Sequence, residues 1–98
     1  KGVRMRMLIG PKEQAPTFFM WHFEVAPGGH TPHHVHDFEH EVLIWKGRGI
    51  ARSESGDKPV TAGTVVYVPV NEKHQFLNDS SEPFEFICLI PAPKDCCK

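Results

Sequence analysis

Apolar and polar positions alternate over short stretches of this chain, and no window of eleven or more residues keeps the 3.6-residue period of an amphipathic helix. Runs rich in Val, Ile, Phe and Thr predict β-strands near residues 3–9, 17–26, 33–36, 40–46, 49–54, 58–62, 64–69, 73–78 and 83–90. Turn residues mark the cuts at Pro27-Gly28-Gly29, Lys46-Gly47-Arg48-Gly49, Ser55-Gly56-Asp57 and Asn78-Asp79-Ser80-Ser81. Ser55-Gly56-Asp57 is expected to form a hairpin tip. Short, evenly spaced strands predict a single all-β domain over residues 1–92, a sandwich or a barrel. Residues 93–98, from Pro93 onward, read as a flexible C-terminal tail.

Successive residues of a strand face opposite sides. Over 83–90, Phe84, Phe86, Cys88 and Ile90 share one face, while Glu85, Ile87 and Leu89 share the other. Over 40–46, His40, Val42 and Ile44 lie opposite Glu41, Leu43 and Trp45. One face of each strand therefore suits a barrel interior. The second is half apolar, and Leu43, Trp45, Ile87 and Leu89 on it predict a partner surface, most simply a second copy of the chain in a homodimer. Coverage of that face by the N-terminal strand of the same chain is the competing reading.

Composition narrows the function classes. A chain of 98 residues supports one core and not two. Eleven Lys and Arg against twelve Asp and Glu leave a net charge of −1, so neither nucleic acid nor an anionic membrane is an expected partner. No apolar run approaches a membrane span, and no leader precedes Lys1, so a cytoplasmic domain is expected. Cys88, Cys96 and Cys97 are odd in number, with two adjacent in the tail, and build neither a disulfide framework nor a CxxC zinc site. Cys96 and Cys97 are expected to be reduced surface thiols.

The histidines carry the chemistry. Five of the seven fall within residues 30–40, in the stretch HTPHHVHDFEH. On a strand, His34 and His36 project from the same face with Cα atoms roughly 6.5–7 Å apart, so their nitrogens can converge on one ion. A short connection, Asp37-Phe38-Glu39, would form a hairpin that sets His40 beside His36. His74 is a distant fourth. A lone histidine is ordinarily a surface or core residue, but crowded imidazoles cost desolvation and, when protonated, repulsion. A metal removes both costs by favouring the neutral form. His30 and His33 are expected to be solvated bystanders, and His22 to lie outside if Trp21 faces inward.

These spacings resemble the cupins, small β-barrels of the double-stranded β-helix or jelly-roll type, marked by the motifs G-x5-H-x-H-x3/4-E-x6-G and G-x5-P-x-G-x2-H-x3-N. Gly28, His34, His36 and Gly47 fit the first, and Gly63, Pro69, His74 and Asn78 fit the second. Asn71 stands where the second motif has glycine, a mild departure because Asn tolerates positive φ. The motif glutamate is the larger departure. His40 satisfies both flanking spacings and shares a face with Val42 and Ile44, so it is the expected third ligand; Glu41 is the alternative, which a β-bulge would favour. The stretches GVRMRMLIG, APGG, FEHEV and FICLIP are similar to those of small thermophile cupins with four-histidine sites. That resemblance implies a homodimer, one divalent ion of manganese, iron or copper per chain, and oxidative chemistry on small organic molecules.

Four neutral ligands would leave such an ion its full charge, and all-imidazole ligation suits iron, copper, nickel or zinc better than manganese by softness. Four ligands on an ion that accepts six leave two positions open, which favours reactivity over a structural role. The expected wall is Val42, Phe76, Phe86, Cys88 and Ile90 by parity, with Trp21 placed by the resemblance. Cys88 is either a small buried hydrophobe or a thiol near the metal. With no Lys or Arg inward, the wall predicts a metal-dependent oxygenase or oxidase acting on a small apolar or aromatic substrate. Two alternatives stand beside it: a non-catalytic metal- or ligand-binding barrel serving as sensor or store, and an isomerase or decarboxylase, which would need an inward Lys, Tyr67 or Glu41.

Overall fold

The computed structural model describes residues 2–92. Eight strands follow in chain order: β1 Val3–Ile9, β2 Phe18–Val25, β3 His40–Lys46, β4 Arg48–Ser53, β5 Gly56–Thr61, β6 Val65–Val68, β7 His74–Leu77 and β8 Phe84–Pro91. A single 3-10 turn, Pro11–Glu13, links β1 to β2, started by a proline and closed by Gln14 in the left-handed conformation at φ 57°. The all-β expectation thus holds. The expected tail, with Cys96 and Cys97, lies outside the described residues.

The strands form a five-stranded sheet in the order β1-β2-β8-β3-β6 and a three-stranded sheet in the order β5-β4-β7. All their pairings are antiparallel. Alternation along β3 and β8 drives the packing. Val42, Ile44, Phe84, Phe86 and Cys88 are buried between the sheets, joined by Val25, Val60 and Phe76. The opposite face of β3, made of Glu41, Leu43 and Trp45, is exposed. Phe86 ties the two layers, lying 5.0 Å from the Phe23 ring of β2 and 4.7 Å from the Phe76 ring of β7.

Gly47, where the chain passes from one sheet to the other, has φ 77°, and a Cβ there would run into the Pro83 carbonyl oxygen. Only glycine meets both demands. Asn78 is 2 % exposed and ties the turn after β7 to its neighbours: its Nδ2 donates to the carbonyls of Val25 and Glu82, and its Oδ1 accepts from the Ser80 amide and hydroxyl. Its backbone amide donates to Gly29, while Gly28 donates back to its carbonyl. Residues 28 and 78, the ends of the two sequence motifs, are therefore physical neighbours.

Three expectations need correction. Residues 33–36 are not a strand; the segment makes isolated bridges at His30 with Leu77 and at His34 with His74. The long connection from β2 to β3 lies along the edge of β7 and touches it at those points, so no continuous ladder forms. The segment before His40 is consequently no hairpin arm, and His40 pairs with Val68 of β6. The β4–β5 hairpin turns at Glu54-Ser55, with Ser53 facing Gly56, one residue earlier than expected.

Candidate metal centre

Four local features carry the histidines to one end of the barrel. His74 opens β7, and its backbone exchanges two hydrogen bonds with His34, at 2.9 and 3.0 Å. That exchange pins the 30–39 connection against the sheet. The carbonyl of His36 accepts from the amide of Asn71 at 2.8 Å, and Asn71 has φ 66°, the left-handed conformation that asparagine tolerates. His40 opens β3, on the inner-facing parity.

The rings of His36, His40 and His74 lie 4.9 to 5.4 Å apart between centroids. One nitrogen from each lies within 4.8 Å of the others, a separation that two bonds of about 2.0–2.1 Å nearly bridge. His34 stands at the exposed rim, its ring edge-on to His36 at 4.9 Å, and its nitrogens fall outside that group. The expected set of four thus forms as three converging imidazoles with a fourth alongside. Glu41 is exposed and faces Tyr67 and Leu89 in the sheet, pointing away from the centre. The irregularity in the β3–β8 ladder falls between Ile44 and Lys46, too far along to turn Glu41 inward.

Two of the rings have their outer nitrogen occupied. His74 Nδ1–H donates to the Glu72 carbonyl at 3.0 Å, which leaves its Nε2 with a lone pair. His40 Nδ1 lies 3.2 Å from Cys88 Sγ. The Nε2 of His40 is buried without a partner among the described residues. A buried polar atom left so costs free energy, and a ligand at the histidine focus would satisfy it. The donor set therefore fits a divalent transition metal: neutral nitrogens, converging, with one already stripped of water. Burial first, then the neighbouring imidazoles of His74, His36 and His34, bring the His40 pKa from 6.5 down to about 4. Burial and the same kind of neighbours lower that of His36, against a smaller upward pull from Asp37. Both shifts favour the neutral, metal-ready imidazole. Burial pushes the Cys88 thiol up to about 12, so it stays protonated.

The histidines form one end of a cavity of about 480 Å³. Trp21, Phe76, Phe86, Cys88 and Ile90 line it. Val42 does not; at 2 % exposure it packs one layer deeper, two residues along β3 from His40. Sequence reasoning missed Phe23, which shares parity with Trp21, and Val3 and Met5, which reach the cavity because β1 pairs with β2. It also missed Phe38, stacked on the rings of His36 and His40 at 4.9 and 5.2 Å from a connection without regular structure. Among the described residues, no Lys, Arg, Asp or Glu lines the cavity.

The other histidines lie apart. His33 is exposed, as expected. His30 is half-buried, with Nδ1 3.1 Å from the Thr31 carbonyl, and so is no solvated bystander. His22 points to the outer face of the five-stranded sheet and meets Glu85 at 2.8 Å.

Comparison with known proteins agrees with this geometry. The family described as "Cupin domain" matches residues 21–90. The 1-methylthio-D-xylulose 5-phosphate methylsulfurylase of Rhodospirillum rubrum is 36 % identical over 74 residues, covering 76 % of this chain and 47 % of that protein. The chain spans about half the length of that relative. The structure of the polyketide cyclase RemF from Streptomyces resistomycificus superposes with a TM-score of 0.89 at 28 % identity, covering 95 % of this chain and 67 % of that one. A predicted oxalate decarboxylase from the thermophile Thermotoga maritima gives 0.81 at 25 % identity, covering 93 % and 81 %.

Proposed function

We propose, from the premise that the chain belongs to the cupin family, that it holds one divalent transition metal on His36, His40 and His74, with His34 as a fourth ligand, and acts as an oxygenase or oxidase on a small neutral apolar or aromatic molecule. The observation that carries this reading is the cavity itself: its aromatic walls open onto three converging imidazoles and, among the described residues, include no carboxylate, ammonium or guanidinium. When bound, an ion of iron, copper or manganese supplies Lewis acidity and one-electron redox chemistry. Trp21, Phe23 and Phe38 give an aromatic substrate surfaces to stack on and exclude water from the histidine end. The Glu72 carbonyl holds His74 with its lone pair inward.

An isomerase or decarboxylase of phosphorylated or acidic substrates fits less well. Glu41 and Tyr67 lie on the outer face, and Tyr67 spends its hydroxyl on Glu39 at 2.8 Å. Arg52 and Lys58 line a second cavity of about 210 Å³ that shares His74 and Phe76 with the first but opens on the other side of them, and Arg52 is held by Asp57 through two bonds of 3.0 Å. One observation favours a second reading, a metal- or ligand-binding barrel without turnover: among the described residues, the cavity wall offers no carboxylate, lysine or tyrosine for acid–base work.

Oxygen uptake by metal-loaded protein over a panel of phenols, catechols and vinyl aromatics separates the two. Uptake with at least one of them, abolished in His40→Ala, is the expected result. A flat trace across the panel, with ligands still quenching Trp21 fluorescence, would move the protein to the binding class. We also propose that a second copy covers the outer face of the five-stranded sheet, where Leu43, Trp45, Val65 and Tyr67 are 41, 56, 71 and 56 % exposed.

A further inference from the structure

We infer that Cys88 is a positioning residue for the metal centre, its sulfur holding the His40 ring through Nδ1 so that the Nε2 lone pair faces His36 and His74. The inference rests on the metal reading above and adds a residue on a different strand to it.

Three observations meet at His40. Its Nδ1 lies 3.2 Å from Cys88 Sγ. Its Nε2 is buried without a partner among the described residues. That ring stands in the group whose nitrogens lie within 4.8 Å of one another. Neutral imidazole carries one proton, on one nitrogen or the other. A proton on Nε2 would place an N–H among two further imidazoles and block coordination. With the proton on Nδ1, the ring donates to sulfur and the lone pair is turned to the focus. Sulfur is a weak acceptor, but β-sheet register places it: Val42 faces Cys88 across β3 and β8, and His40 lies two residues along on the same face. His74 is braced in the same sense by the Glu72 carbonyl. The two ligands that open strands are thus held at their outer nitrogens, one by a carbonyl and one by a thiol. Partners of this kind fix the tautomer and ring orientation of a ligating histidine.

Cys88 is also a core residue, 4 % exposed, and packing alone would account for a small apolar group there. Valine preserves the packing and removes the acceptor; serine keeps an acceptor in less volume. The test measures zinc affinity by chelator competition for wild type, Cys88→Val and Cys88→Ser. It also records long-range 15N–1H spectra of the ring nitrogens in metal-free protein above the histidine titration range. Cys88→Val is expected to bind zinc about 10–100-fold more weakly, and Cys88→Ser to stay nearer wild type. In the spectra, His40 should carry its proton on Nδ1 in wild type and lose that preference in Cys88→Val, with His74 unchanged. Cys88→Ala serves if the valine protein does not fold. Unchanged affinity together with an unchanged His40 tautomer would overturn the inference, as would a wild-type His40 protonated on Nε2. Failure of wild type to bind zinc would instead sink the metal reading, and the tautomer would still decide the role of Cys88.

Discussion

At His40 the imidazole gives up water to face two others, which brings its pKa from 6.5 to about 4. The unfolded chain therefore binds a proton that the folded chain refuses between those values. Stability from this residue is complete above about pH 6.5 and is lost as pH falls toward 4, with His36 shifted in the same direction. Denaturant midpoints of metal-free protein should fall over that window, and His40→Gln should flatten the slope; parallel profiles for the two proteins would contradict the assignment. The choice of His40 over Glu41 is legible in sequence because strand parity is a property of the backbone alone. The separation of His34 from the other three is not. It depends on where an irregular segment touches β7, and one bridge at His74 sets that. Phe38 was equally hidden, since no periodicity fixes a side chain in a connection. The partner of Cys88 needed the β3–β8 register, which the chain order does not reveal.

At the scale of elements, eight of the nine expected strands needed only shifts at their ends or none, and the reason is alternation: Val42 and Ile44 on β3, Phe84, Phe86 and Cys88 on β8 bury one face each. One segment, 33–36, had strand-like composition and no continuous partner. Another, Gly56–Thr61, began earlier than its apolar residues suggested, because the tight Glu54-Ser55 turn carries pairing back to Gly56. The motif asparagine has a concrete task at this scale. Asn78 satisfies the carbonyls of Val25 and Glu82, and both its donor and acceptor ends are used. Asn78→Ala would leave buried groups unpaired, so the unfolding free energy should drop by about 1–3 kcal/mol. Urea titration measures it; a change of less than ~0.5 kcal/mol, the range of ordinary surface substitutions, would show that water replaces the side chain at no cost.

For the whole molecule, a two-sheet barrel explains the inner faces of β3, β7 and β8 but leaves apolar side chains exposed along β1 and on the outer face of β3 and β6. β1 pairs only with β2 at the far edge of that sheet, so it does not cover those of β3 and β6. A second copy of the chain is the occupant we propose. Light scattering should give a dimer, and Trp45→Glu should shift the mass toward the monomer while leaving zinc affinity intact; a wild-type monomer at micromolar concentration would refute it. No helix among the described residues is long and apolar enough to cross a membrane. Fold and ligand types are readable from the chain because two motifs name positions that the topology joins. The cavity's walls are less so, since three of its sides come from strands distant in sequence.

The histidine focus is the centre of the proposed chemistry, and metal content measures it most directly. Elemental analysis of wild-type protein saturated with a divalent transition metal and then desalted should find about one ion per chain, and the triple variant His36→Ala, His40→Ala, His74→Ala should retain almost none. Equal metal content in the two proteins would contradict the site.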